Sequence, residues 1–326
     1  MLSIQMAAII TSLTNGEADM KNLILYVVTV LIWGSTWLAI EFQLGVVSPE
    51  VSLVYRFAMA ALMMWGYCLY KKLPMRFNLV QHGFFILLAL CNFGFNYLLL
   101  YWAQQYLTSA LASVAFSTML LINIINTRIF FGKPIAKRIY SGALLGIAGI
   151  VVLFWQDLQV LDLSNLVLVG LLLALSGTLV ASFGNMVSVR NSRRSVGILQ
   201  GNAWGMLYGT SALAITALFT GAEFTFDPSL PYVASLLYLA VFGTVIAFAC
   251  YFVMLKNIGP EKASYVIVLF PLVAVVLSTL FEGFVWNGYT LAGFSLVLAG
   301  NAIVLTPFER IGRLLGKRPA VIPEPV

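Results

Sequence analysis

Charge is what this chain has least of: Asp, Glu, Lys and Arg together make up 9% of its 326 residues, against about a quarter in soluble domains. A soluble fold cannot be clothed in polar surface from that stock. Cysteine and histidine are equally scarce. Cys68, Cys91 and Cys250 stand singly inside apolar runs and His82 is the one histidine, so a disulfide framework and a zinc site both lack their ligands. There is no GxxxxGK[ST] loop for an ATP-driven pump, no His-Glu zinc motif, no intramembrane Asp pair and no Ser-His partnership. Catalytic residues, metals and cofactors are therefore not expected. The first nineteen residues lack the basic n-region and cleavage site of a signal peptide; residues 1–19 are expected to be an extension or a misassigned start.

What fills the chain is hydrocarbon, with 61% of residues hydrophobic. Apolar runs of about 20 residues, the length that crosses a bilayer, recur from end to end with loops of a few residues between them. Ten spans are expected, near 22–42, 50–70, 82–104, 108–131, 138–156, 165–188, 197–220, 231–255, 261–281 and 289–307. The net charge of +6 belongs to loop ends rather than to a nucleic-acid face. Lys71, Lys72 and Arg76 follow span 2, Arg128, Lys133, Lys137 and Arg138 surround the turn after span 4, and Arg190, Arg193 and Arg194 follow span 6. The intervening loops carry Glu and Asp but no Lys or Arg. Seventeen of eighteen basic residues fall on loops of one parity, which places both termini in the cytoplasm. The exception is Arg56.

A shift of 151 positions aligns residues 112–149 with 263–300 without a gap, with nine of 38 pairs identical, including Gly132 with Gly283, Gly142 with Gly293 and Gly149 with Gly300. A five-span unit repeated once must enter the membrane from opposite sides. The fold expected is thus an all-α membrane protein of ten transmembrane helices, two inverted five-helix repeats around a central cavity, with repeats at 20–158 and 159–307 and a basic cytoplasmic tail at 308–326.

Several stretches carry a family likeness: WGSTW at Trp33 to Trp37, then Pro49 with Arg56 and Phe57. ALAS, FFGK and GALLGIAG follow in spans 4 and 5, and KAS, FPLVAV, FEGF and LAGN in spans 9 and 10. In order and repetition they resemble the EamA family of the drug/metabolite transporter superfamily, from Met20 to about Pro307. The resemblance implies a carrier of small metabolites in the cell membrane, a bacterial inner membrane. It departs at Leu120, where such proteins have a proline, although Pro271 stands at the matching place in span 9; paired kinks in the two halves are therefore not implied.

Polar side chains at mid-span either bridge helices or line a wet cavity. Asn92 and Asn96, four apart on one face of span 3, with Tyr101 a turn further, Asn123 and Asn126 of span 4, and Trp33, Ser35 and Trp37 of span 1 are substrate-cavity candidates. Helix bridging and packing are the alternatives. Arg56 is read first as an ion pair with Glu41 and second as a contact for a substrate carboxylate. Pro271 is the candidate hinge, Glu282 a cap or surface group, and His82 an interfacial residue. Gly142 and Gly146 of span 5 and the small residues of span 10 suit packing of the two spans on each other or, as the lesser reading, a homodimer face.

These features favour a secondary transporter or facilitator for an amino-acid-like or amphipathic solute, directed outward, with coupling to protons or sodium left open. A carrier of nucleotide-sugar or phosphorylated solutes is the alternative, disfavoured because Arg56 alone supplies intramembrane positive charge. An intramembrane enzyme is the remote one.

Overall fold

A computed structural model describes residues 17–159, 166–263 and 265–305. Residues 1–16 of the N-terminal extension, 160–165, 264, 306–307 and the tail 308–326 lie outside them. The described residues form ten long helical runs. We denote these α1 (Glu17–Glu41), α2 (Pro49–Tyr70), α3 (Leu79–Gln104), α4 (Ser109–Phe131) and α5 (Lys137–Leu153). They continue as α6 (Leu166–Arg193), α7 (Ile198–Thr220), α8 (Leu230–Leu237, Tyr238–Ile246 and Ala247–Ala263), α9 (Val266–Phe281) and α10 (Gly288–Leu305). Eight of these, all but α5 and α9, have the length and apolarity to cross a membrane. The chain is a multi-pass membrane protein.

Local chemistry sets the ends. Pro49 opens α2 where its missing N–H is no loss. Asn78 and Gln81 close a capping box on α3. The repeat-matched glycines Gly132 and Gly283 end α4 and α9 with φ of 68° and 66°, a left-handed turn that only glycine adopts freely. Glu282, beside the second of them, does act as a cap, but for another helix: its carboxylate accepts from the Ser109 N–H at 3.0 Å and the Ser109 hydroxyl at 2.6 Å, at the start of α4.

Three helices are irregular inside. A π-helical stretch interrupts α3 at Ala89–Gly94 and another interrupts α8 at Tyr238–Ile246. The chain leaves α-helical order in α4 between Phe116 and Met119, where the Ser117 and Thr118 hydroxyls donate back to the Val114 and Ala115 carbonyls.

Glycine decides how closely helices pack. α5 and α10 form the most intimate pair: a methyl group on Gly149 would lie 2.7 Å from the Val297 amide nitrogen and 2.8 Å from the Gly293 carbonyl. The small-residue faces of these two helices are closed on each other within one chain. This is the packing of spans 5 and 10 on each other that their small residues suit. In α6, Gly170, Gly177 and Gly184 seat the helix along α3. Elsewhere α2 packs on α7, α4 on α9, α1 on both α8 and α9, and α6 on both α3 and α4.

Candidate functional site

The candidate residues fall into three groups by their contacts. The first surrounds α1. Trp33, half-buried, packs edge-on to Phe248 at 5.4 Å and against Tyr251 at 5.1 Å. The Ser35 hydroxyl lies 2.6 Å from that of Tyr238, at the start of the α8 π stretch. Trp37 is buried between Phe116 and Phe270 with centroids at 5.4 and 6.1 Å, and Gln104 donates to its carbonyl at 3.0 Å. This places an aromatic plug among α1, α4 and α9. Pro271 follows Phe270 inside a helix that is continuous from Val266 to Phe281, and Gly34 lets α1 approach the Phe270 carbonyl.

The second group is an amide and hydroxyl network joining α3, α4 and α6. Asn185 donates to the Asn123 carboxamide oxygen at 3.2 Å and accepts from Asn92 at 3.4 Å. Ser182 donates to the same Asn123 oxygen at 2.7 Å and accepts from Asn126 at 2.9 Å. Asn92, Asn123 and Asn185 are all half-buried, so the network is not sealed inside the bundle. Asn96 is not in it. Asn96 follows Asn92 by four residues, but the backbone between them is distorted at the end of the π stretch, where Gly94 takes φ −116° and ψ −99°. Asn96 is 4% exposed, with its carboxamide oxygen unpartnered. Asn185 and Ser182 went unnoticed in the sequence, although the rule that singled out Asn92 applies equally to a mid-span asparagine in α6.

The third group centres on Arg56. Its side chain turns into the bundle and is 2% exposed. The guanidinium lies over the Tyr97 ring at 4.8 Å and near the Phe57 ring at 5.4 Å, with long contacts to the Tyr101 hydroxyl at 3.4 Å and the Thr244 hydroxyl at 3.5 Å. The ion pair expected with Glu41 is corrected: Glu41 is exposed at the end of α1, whereas the α2 phase directs Arg56 toward α3 and α8. Thr244 itself donates to the Leu239 carbonyl five residues back, holding the π turn of α8. His82, read as interfacial, meets the Tyr208 hydroxyl at 2.8 Å and packs edge-on to Trp204 at 4.5 Å.

No metal cluster of three or more His, Cys, Asp or Glu side chains occurs among the described residues. Comparison with known proteins gives a consistent picture. The profile of the EamA-like transporter family matches residues 20–155 and again 168–306. The uncharacterized inner membrane transporter YedA of Escherichia coli is 29% identical over 296 residues, covering 90% of this chain and 92% of its own. The protein PagO of Salmonella typhimurium is 24% identical, covering 84% and 88%. One crystal structure superposes with a TM-score of 0.63 at 18% identity, over 90% of this chain and 98% of that one, a likeness of fold.

Proposed function

Because the chain belongs to the EamA-like transporter family, we propose that it is a secondary transporter or facilitator. It moves a small amino-acid-like or amphipathic metabolite outward across the bacterial inner membrane by alternating access, with both termini cytoplasmic. In this reading the ten helices are two inverted five-helix repeats, 20–158 and 159–307, and any coupling ion is a proton or sodium.

The observation that carries the reading is a pair of matched irregularities. The α3 π stretch, residues 89–94, moved by the 151 positions that align the repeats, becomes 240–245, inside the α8 stretch at 238–246. π turns inside α-helices are rare and occur frequently at functional sites. Helix pairing has the same two-fold pattern: α3 on α6 answers α8 on α1, and α1 on α9 answers α6 on α4, each five helices along. Two halves that can exchange geometries are what alternating access needs. The half-buried Asn92–Asn123–Asn185 network supplies hydrogen-bonding groups for a polar solute, Trp33 and Trp37 an apolar wall, and Pro271 a weakened turn in α9.

The test is flux. Proteoliposomes holding the full chain, loaded with a panel of radiolabelled amino acids and related amphiphiles, are expected to release at least one of them faster than empty vesicles. Imposed proton and sodium gradients then separate facilitator, symporter and antiporter. Absence of flux for every solute, with the protein shown to be folded in the vesicles, argues against this substrate class.

A further inference from the structure

Arg56 is a cation buried in a membrane-spanning helix without an anion. Among the described residues no Asp or Glu ion-pairs with it; its interactions are the two hydroxyls and two aromatic faces already described. Contacts of 3.4 and 3.5 Å are at the weak limit for hydrogen bonds, and the Nε–H is buried with no acceptor at all. A guanidinium has five donors in a planar fork suited to a carboxylate, and aromatic faces stabilise its charge while accepting none of those hydrogens conventionally. The donor set is underfilled.

The surroundings complete a site. Tyr101 offers an O–H group beside the guanidinium, so an anion held there would receive a hydroxyl as well as N–H donors, whereas the Thr244 O–H is given to the Leu239 carbonyl and its oxygen only accepts from Arg56. One turn before Arg56, the Ser52 hydroxyl lies 3.0 Å from that of Tyr232, and Gln43 bonds the Tyr232 carbonyl and Ser235 with its own carboxamide oxygen unpartnered. These polar groups form a buried file from the loop at residues 42–48 toward Arg56. The two helices that flank the guanidinium opposite α2 are α3 and α8, the pair interrupted by π turns.

We propose that Arg56, with the hydroxyl of Tyr101, binds one small monovalent anion at the junction of α2, α3 and α8. The anion is either a carboxylate group or a halide. Occupation by the carboxylate of a transported solute rests on the transport reading above; occupation by a free anion stands without it.

The experiment uses the purified full chain in detergent, titrated with sodium acetate or sodium chloride against sodium methanesulfonate at fixed ionic strength, with thermal unfolding as the readout. A saturable rise in Tm with acetate or chloride is expected, absent in Arg56→Gln. Acetate alone identifies a carboxylate site, and chloride a halide site. The Tyr101→Phe variant keeps the cation and is expected to weaken half-saturation about tenfold, which preserves the test if Arg56→Gln does not fold. No saturable shift with either salt, an Arg56→Gln response equal to the parent's, or an unchanged half-saturation in Tyr101→Phe overturns the site. Solute flux measured on the same protein after reconstitution into vesicles is independent: anion binding without flux removes the transport reading and leaves this site, and flux without anion binding does the reverse.

Discussion

At the scale of single residues, glycine does two different things in the α5–α10 contact. Gly142 and Gly146 read alike as a GxxxG pair, yet a methyl group on Gly146 meets only the end of the Leu121 side chain at 3.4 Å, whereas one on Gly149 meets backbone of α10 at 2.7 Å. A leucine tip yields and a backbone does not. Gly149→Ala is therefore expected to lower stability by about 1–3 kcal/mol through overpacking. Gly146→Ala should be neutral or gain up to about 1 kcal/mol from helix propensity. Thermal unfolding of the two variants in detergent checks this, and equal losses would show that the motif, not the contact geometry, governs the interface. Glu282 makes a second case. Its carboxylate accepts both donors of Ser109 at the first turn of α4, so Glu282→Ala should cost about 1 kcal/mol, as loss of a helix cap does. Glu282→Gln, which keeps one acceptor, should cost less. The sequence suggested capping for Glu282 but could not say which helix it caps, because donor and acceptor are 173 residues apart.

At the scale of elements, the spans were legible and their interiors were not. Apolar length sets a span, but the places where a helix departs from α order depend on partners from elsewhere in the fold. Pro271 drew attention to α9, which is nonetheless assigned as one continuous helix, while α4, with Leu120 in place of a proline, is the one that breaks. The cause lies in the Ser117 and Thr118 hydroxyls, which back-bond to carbonyls, a known source of helix bending. Asn301 of α10 adds to it by donating to the Ser117 hydroxyl at 3.2 Å. The π stretch of α3 was equally invisible. A π turn amounts to one extra residue in an α-helix, so deleting Leu90 should restore regular α order and leave both flanks of α3 in their packing. The expected outcome is a monodisperse protein with unchanged helical circular dichroism and strongly reduced solute release from proteoliposomes. Flux retained at the parent rate would show that the π turn takes no part in transport.

At the scale of the whole molecule, the two ends of the bundle differ in chemistry. At one end Arg190, near the close of α6, stacks on Phe84 of α3 at 3.3 Å, and Arg193 lies 4.2 Å from the ring of Phe131 at the close of α4. The Trp204 indole of α7 donates to the Met75 carbonyl in the loop after α2. The cationic loops after α2, α4 and α6 thus converge on one face. At the opposite end the contacts run through acids and neutral polar groups: Glu282 with Ser109, Tyr55 with the Thr225 carbonyl, and Gln43 with the start of α8. A bilayer inserted by the positive-inside rule puts the first face in the cytoplasm. This charge alternation could be read from the sequence because loop charge is a local property. That α2, α4 and α6 bring their basic ends together could not, since it depends on packing over some hundred residues. Reporters fused after Lys72 and after Arg194 should therefore both read cytoplasmic, and one fused after Asp227 should read external. Should the Lys72 and Asp227 fusions report the same side, an odd number of crossings between them is excluded. The inverted relation of the two halves, and alternating access built on it, then fails with the topology.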